Sequence, residues 1–564
     1  MSKVLLFENT ADVQMSLAEE YLRDGNLPDA IKAIRTAYEI EDDPAYFVDM
    51  GEAYLQSGLV GPAFESFCEA YARGVDSTQC LFGLSRSAYF MGFDKESGEY
   101  FKKIFLKNVP DLGQFSCDVD DLGDEFAQVT GGVENRGFTF VKSDTQKSFD
   151  DDMVAMVREN PEKALPYFEN VPKSSKLFYE ARNNIALIKL ILGSFNEALE
   201  ECREILEHKP NDIFALSTML ATYSALGFQD KALAMAERLD GLAIVDEENI
   251  RKVALAMCQA EMHSYAVKYL DKLFIQKYER NVMLLRAIAY YNVGEKGKAT
   301  STIRDMKKLF PKEELMLQDV ESRMRAGVDK YLPYSVIMMH GETLRHIGES
   351  RVLFCAEQED KDFDFEKFAH SLQDEKNYRL LYWYLTNHAY FCKNDEILIL
   401  FRLCQTQDER CYELLCEVLR DMNVAEYLKC KCIRVLVCHG YDKEIHLVQG
   451  ANIRTTKPLY PSNYSEAPDK NKKSLLWADA FAIAYSELFL SYDGFEEDLR
   501  DVAEDIYRRL LDKDEKLFNS PFALASVIFK RVKAVGKVTL TGLSKRFGVS
   551  AETVKKYEKI IYED

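Results

Sequence analysis

The chain has 564 residues, 47% hydrophobic and 12% aromatic, with 72 Lys/Arg against 93 Asp/Glu for a net charge of −21. This composition excludes a disordered chain, and so acidic a surface excludes general coating of nucleic acid. The length exceeds one compact core, a limit that a solenoid escapes because each repeat buries only its neighbour's face.

The opening MSKVLLFENTADVQ carries one Lys and a short apolar stretch, Val4 to Phe7, and reads as neither a signal nor a transit peptide. No apolar run reaches the ~18 residues of a membrane span. The longest candidate, IALIKLILG, is interrupted by Lys189. Cysteines such as Cys68, Cys202 and Cys258 fall at apolar positions of helical patterns, which fits a reducing compartment. The expected location is cytoplasmic, with no membrane partner.

Small residues then recur at fixed spacing. Ala30 and Ala63 are 33 apart, and Ala198, Ala232, Ala266 and Ala299 follow at 34, 34 and 33. The first unit carries Leu17-Ala18, Tyr21, Gly25, Ala30 and Ala37; the second Gly51, Tyr54, Gly58, Ala63, Phe67 and Ala70. Later units carry Ala186, Gly193, Ala198 and Pro210, then Ala287, Tyr290, Gly294, Ala299 and Pro311. Small residues at the eighth and twentieth positions let two helices approach, larger ones fill the groove, and Gly ends the first helix. Gly51 and Ala198 are therefore expected at helix crossings.

This pattern resembles the tetratricopeptide repeat, of the kind found in bacterial proteins that pair such repeats with further helices. The resemblance covers 1–110 and 151–326. Between them, 111–150 is acidic, holds Gly131-Gly132 and lacks a helical period, so it reads as an insertion. The resemblance implies a scaffold that binds a protein or peptide segment on the concave face of the solenoid.

From 327 to 515 the rhythm changes. A loop holding Pro333 precedes amphipathic segments YRLLYWYLTNHAYF, DEILILFRLCQ, ERCYELLCEVLRDM and VAEYLKCKCIRVLVCHGY. Their lengths and short connections suggest HEAT-like stacked pairs. Period-two alternation around Gln449-Gly450 predicts a β-hairpin near 443–457, capping a helical layer. Two more helices follow, in LLWADAFAIAYSELFLSY and EEDLRDVAEDIYRRLLDKD. The fold class is therefore all-α: a tetratricopeptide-like solenoid, a HEAT-like region with a small hairpin, and a C-terminal module.

Cys430, Cys432, Cys438, His439 and His446 cluster within 17 residues. Cys430 and Cys432 lie two apart in a helical pattern and point to different sides, so buried apolar cysteines account for them better than zinc. His340 and His346 are six apart, whereas a helical zinc pair needs four. There is no phosphate-cradling Gly loop and no G-x-S-x-G elbow, so no cofactor and no enzymatic activity are expected.

The last segment, 519–564, changes sign: residues 521 to 564 hold nine Lys/Arg and four Asp/Glu. LSKRFGVSAETVKKYEKI has the spacing of a helix-turn-helix, with Ser544 at the close approach, Gly548 at the turn, Ser550 as N-cap, and Val549 and Val554 in the core. With the preceding NSPFALASVIFKRVKAVGKVTL it resembles the cyclin-like fold of transcription factor IIB. That resemblance implies phosphate contacts by Lys545, Arg546, Ser550, Lys555, Lys556 and Lys559, and base-edge contacts by Glu552 and Thr553. DNA is therefore the alternative partner, in a transcription regulator whose solenoid senses a partner. Ser544 replaces the usual Ala, and a protein-contact role fits the same module.

Overall fold

The computed structural model describes residues 10–108, 160–274, 278–327, 330–334, 364–386, 399–400, 402–403, 406, 408–461, 472–511 and 520–562. The acidic stretch 111–150, the His340–His346 motif and most of DEILILFRLCQ lie outside the described residues. What is described is all-α apart from one antiparallel hairpin.

Among the described residues, seven helix pairs follow one rule. The first three are α1 (Ala11–Arg23) with α2 (Leu27–Glu41), α3 (Tyr46–Gln56) with α4 (Val60–Ala72), and α5 (Thr78–Phe90) with α6 (Asp94–Asn108). After a short helix α7 (Pro161–Glu169) come α8 (Phe178–Ile191) with α9 (Phe195–His208) and α10 (Ile213–Ala225) with α11 (Gln229–Asp240). The last two are α12 (Glu247–Gln259) with α13 (His263–Phe274), and α14 (Arg280–Asn292) with α15 (Lys296–Leu309). A single helix, α16 (Glu314–Ala326), follows.

Each pair buries two residues twelve apart, one from each helix, and all but Leu220 are small. They are Ala18/Ala30, Gly51/Ala63, Ser85/Ser97, Ala186/Ala198, Leu220/Ala232, Ala254/Ala266 and Ala287/Ala299. The third pair replaces contact by hydrogen bonding: Ser85 Oγ donates to the Ser97 carbonyl at 2.9 Å, and Ser97 Oγ to that of Ser85 at 2.8 Å. Gly51 is a packing residue as expected. A Cβ there would lie 2.7 Å from the Phe67 ring, and one on Gly83 would lie 2.3 Å away, so the ring fills the space two side chains would take. The turn after each first helix needs a left-handed residue. Six turns use Gly, and the sixth in order uses Glu261 at φ 56°.

The chain divides into two compact units, each drawn from separated stretches. One comprises 1–41, 53–59 and 118–340. Its core runs without interruption from Ala186 through Tyr223, Met257 and Tyr269 to Ala289. The first pair packs onto this stack through α2 against α15, so neighbours in the stack are not neighbours in the chain. Lys308 Nζ lies 2.7 Å from the Asp29 carboxylate, and Arg35 donates to the Lys308 carbonyl at 3.0 Å. Tyr54 donates to the Leu309 carbonyl at 2.8 Å, and Tyr278 to that of Gly25 at 3.0 Å. These bonds satisfy carbonyls at helix ends and turns that would otherwise need water.

The other unit comprises 42–52, 60–117 and 341–564. Here α17 (Phe365–Ser371), α18 (Glu375–Thr386), α19 (Glu409–Arg420) and α20 (Glu426–Cys438) precede the hairpin of β1 (Ile445–Gln449) and β2 (Asn452–Thr456). Gln449 pairs with Asn452 across a tight turn. Tyr100 on α6 reads that turn, donating to the Ala451 carbonyl at 2.8 Å and accepting from the Ile453 amide at 3.1 Å. On α19, Arg420 grips both oxygens of Glu69 on α4 at 2.7 and 3.1 Å, and Arg73 adds a third contact at 2.7 Å. Burial raises the Glu69 carboxyl's pKa, but the Arg420 and Arg73 charges outweigh it and hold the group down to about 2. Then come α21 (Lys472–Phe489), α22 (Glu496–Leu511), α23 (Pro521–Arg531), α24 (Leu540–Phe547) and α25 (Ala551–Tyr562).

Candidate functional site

In the unit spanning 118–340, the first helices of successive pairs present equivalent side chains. One row, a residue beyond the small crossing position, is Leu187, Ala221, Leu255 and Ile288, all apolar. Leu255 is 43% exposed, whereas Ile288 is 1% exposed. Four residues further on, the row is Ile191, Ala225, Gln259 and Asn292; the first three are exposed and Asn292 is buried. Leu192 and Phe228 extend the exposed apolar surface beside these rows. The equivalent first-row residues of the second and third pairs are charged, Glu52 and Arg86, and pair with each other at 3.4 Å.

In the first row Leu187 is half-buried and Ala221 buried, and at Ile288 and Asn292 the chain returns to the rows. Leu332 and Pro333 line one small cavity together with Ile288, Val320 and Arg323. The Asn292 carboxamide reads the Leu332 backbone at both ends: Nδ2 donates to its carbonyl at 2.9 Å, and its amide donates to Oδ1 at 2.7 Å. The Tyr334 hydroxyl and His263 Nδ1 share a hydrogen bond at 3.0 Å, and the Tyr331 ring sits 4.8 Å from the imidazole. Burial lowers the His263 pKa, partly offset by the charge of Glu261. Two buried oxygens among the first helices, Asn183 Oδ1 and Ser217 Oγ, have no hydrogen-bond partner. Leu255, Ile288 and Asn292 did not stand out in the sequence, and the 330–334 segment was legible only as a loop holding Pro333. The available signal was Leu-Pro flanked by two tyrosines, with an Asn at an otherwise exposed position of the last repeat.

In the other unit, α24 and α25 join through Gly548 in the left-handed conformation. Ser550 Oγ accepts from the Thr553 amide at 3.1 Å, capping α25. Val554, Tyr557 and Ile561 form the buried stripe; Val549 is half-buried and Ser544 Oγ is buried without a partner. Glu552, Lys545, Lys555, Lys556 and Lys559 are exposed, and Thr553 is half-buried. Arg546 turns to α21 instead: its Nε is 3.2 Å from Glu487, Nη2 donates to Ser491 Oγ at 2.6 Å, and its guanidinium lies 4.9 Å from the Phe529 ring centroid. That guanidinium is thus already engaged by a carboxylate.

The cysteine cluster splits up. Cys430 Sγ lies 3.5 Å from Ser486 Oγ, and Cys438 Sγ 3.4 Å from the Asp479 carboxylate. Cys432 is fully buried, and His439 Nδ1 is 2.9 Å from the Val435 carbonyl within its own helix. Burial, with Asp479 adding to it, pushes the Cys438 thiol up to about 12. Among the described residues no group of three or more His, Cys, Asp or Glu side chains is placed to hold a metal. Nor is any described helix long and apolar enough to cross a membrane.

No protein-family model matches the chain. No curated protein matches it either. Among solved structures it is similar to a tetratricopeptide repeat protein from Parabacteroides merdae, at 13% identity over 56% of this chain and 98% of that one, with a TM-score of 0.21. Yeast Tom70 is similar at 14% identity over 98% and 97% of the two chains, with a TM-score of 0.20. The Naa15/Naa10 complex bound to HypK-THB gives 11% identity, 98% and 78% coverage, and a TM-score of 0.24. The chains do not superpose closely at these scores, so the functional reading rests on this chain's own residues.

Proposed function

We propose that the chain is a non-enzymatic scaffold whose first-helix face binds a segment of a protein partner, with the solenoid in 1–110 and 151–326. The observation that carries this reading is the set of exposed apolar side chains Ile191, Leu192, Phe228 and Leu255 on or beside the first helices of successive pairs, whose other faces are sealed into the core. Apolar side chains in register along a rigid stack are what a partner's side chains need for pockets. The test is capture by the full chain against a chain carrying Ile191→Asp and Leu255→Asp. Both sites are exposed, so the variant keeps its fold. Loss of the principal captured protein, with unchanged melting, supports the reading; an identical captured set refutes it.

A second reading makes 519–564 a helix-turn-helix that holds DNA. What favours it is the exposed set Lys545, Lys555, Lys556 and Lys559 on two consecutive helices of an otherwise acidic chain. The full chain should then bind random duplex with affinity falling steeply as salt rises. Lys555→Glu with Lys556→Glu should abolish that binding, and absence of binding even at low salt ends this reading.

A further inference from the structure

We propose that residues Lys330–Tyr334 are a tethered surrogate for the partner, and that the face formed by α12, the start of α13, α14 and α16 recognises a protein segment with an aromatic-Leu-Pro-aromatic core. This rests on the scaffold reading and names the ligand chemistry of that same face. Three features of the covered site are those of peptide recognition.

First, Asn292 reads the backbone of Leu332, donating and accepting at once. A carboxamide that pairs with both amide groups of one residue fixes an extended chain irrespective of its side chain. Leu332 is biased to that extended form because a proline follows it. Second, specificity comes from three side chains. Leu332 is buried to 4% exposure, Tyr334 meets His263 through its hydroxyl, and Tyr331 lays its ring by the same imidazole while staying 48% exposed. Third, the covered position follows exposed positions of the preceding repeat. Ile288 is the equivalent of Leu255 one repeat on, and Asn292 is the equivalent of exposed Gln259. Withdrawing the segment would bare Ile288 and take the Leu332 backbone from both ends of the Asn292 carboxamide, leaving Nδ2 only its 3.5 Å contact with His263 Nδ1, which is a preformed site.

Only two residues separate Gly327 at the end of α16 from Lys330 in sequence. So short a tether gives an effective concentration on the order of mM, which an isolated peptide of equal affinity must match to compete. A natural partner escapes that competition by also engaging the exposed side chains of Leu255 and Ile191. The segment therefore sets a threshold: short chance matches are excluded, and a longer partner segment displaces it.

The test is fluorescence anisotropy with a labelled synthetic peptide, Asp-Lys-Tyr-Leu-Pro-Tyr-Ser, titrated with full-length chains. Against wild type, the chain with Leu332→Asp and Tyr334→Ala should bind at least tenfold more tightly, because its own segment no longer competes. Adding Asn292→Ala to that chain should remove at least tenfold of the gain. The milder Tyr334→Phe, which deletes one hydroxyl and keeps the ring, should give a smaller increase with melting unchanged. Equal binding by wild type and the opened chains, or indifference to Asn292→Ala, overturns the proposal. So does loss of cooperative unfolding in the doubly substituted chain, which would make the segment part of the core. If partner capture still depends on Leu255 while the peptide never binds, the scaffold reading stands and this proposal alone falls.

Discussion

Repeats four to seven and the helices from 375 to 562 are built from similar lengths of helix, but they are held by different means. The repeats use one device over and over: a crossing that is slim in all but the Leu220 pair, a left-handed turn, and a core continued into the next pair, with long-range polar contacts such as Lys308 with Asp29 where the last pair meets the first. The later helices are fastened by individual polar contacts between residues far apart in sequence, such as Arg420 with Glu69 and Tyr100 with Ala451. A periodic device tolerates change at any surface position but none at a crossing. A unique contact fails when either partner goes. The first arrangement presents a periodic face, and the proposed partner binding rests on it.

Damage at a crossing should have the largest effect. Ala198→Glu places a charge at a fully buried position and should cost about 3–5 kcal/mol, read as a fall in urea midpoint. Melting within a degree or two of wild type would mean that the crossing rule is wrong.

Next comes the ion pair. Arg420→Met leaves the Glu69 carboxylate with Arg73 alone and should cost about 2–3 kcal/mol at neutral pH. The sign with pH follows from the lowered pKa of Glu69. Its contribution is present above the ordinary 4.5 and is lost as pH falls toward about 2. Wild type should therefore lose more of its midpoint than Arg420→Met between pH 5 and 3. Parallel pH profiles for the two chains would remove Glu69 from the account.

The turn series gives a smaller effect of opposite sign. Glu261 holds a left-handed conformation that its six counterparts give to Gly. Glu261→Gly should stabilise by about 0.5–1 kcal/mol, measured as a raised urea midpoint. Destabilisation instead would show that the Glu261 side chain does more than occupy a turn.

The smallest change belongs to α25. Lys555→Glu with Lys556→Glu alters exposed side chains and should move stability by no more than about 0.5 kcal/mol, with unchanged helicity by circular dichroism. A larger loss would mean that this face is packed.

The same contrast explains what the sequence made legible. Alanines at 33 and 34 spacing announced the pairs, since a crossing admits few residue types. The Ser85/Ser97 pair escaped that pattern because hydroxyls that bond each other also fit there. The hairpin was legible from its alternation about Gln449-Gly450, and α24 and α25 from Gly548 and Ser550. The contacts of Arg420 and Tyr100 were not, since their partners stand 351 residues away and follow no period. Asn292 and Leu332 are only 40 apart, but a loop with one proline gives no sign of which helix it lies on. The resemblance of the C-terminal module implies a phosphate contact for Arg546, whereas only the folded chain shows Glu487 beside it.

The central claim is that partners bind the first-helix face. Photo-crosslinking tests it most directly, with p-benzoylphenylalanine placed in the full chain either at Leu255 on α12 or at exposed Arg203 on the second helix α9. The account predicts that illumination in cell extract yields one dominant protein adduct from Leu255, absent from Arg203. Adducts from Arg203 alone, or equal sets from both positions, would contradict it.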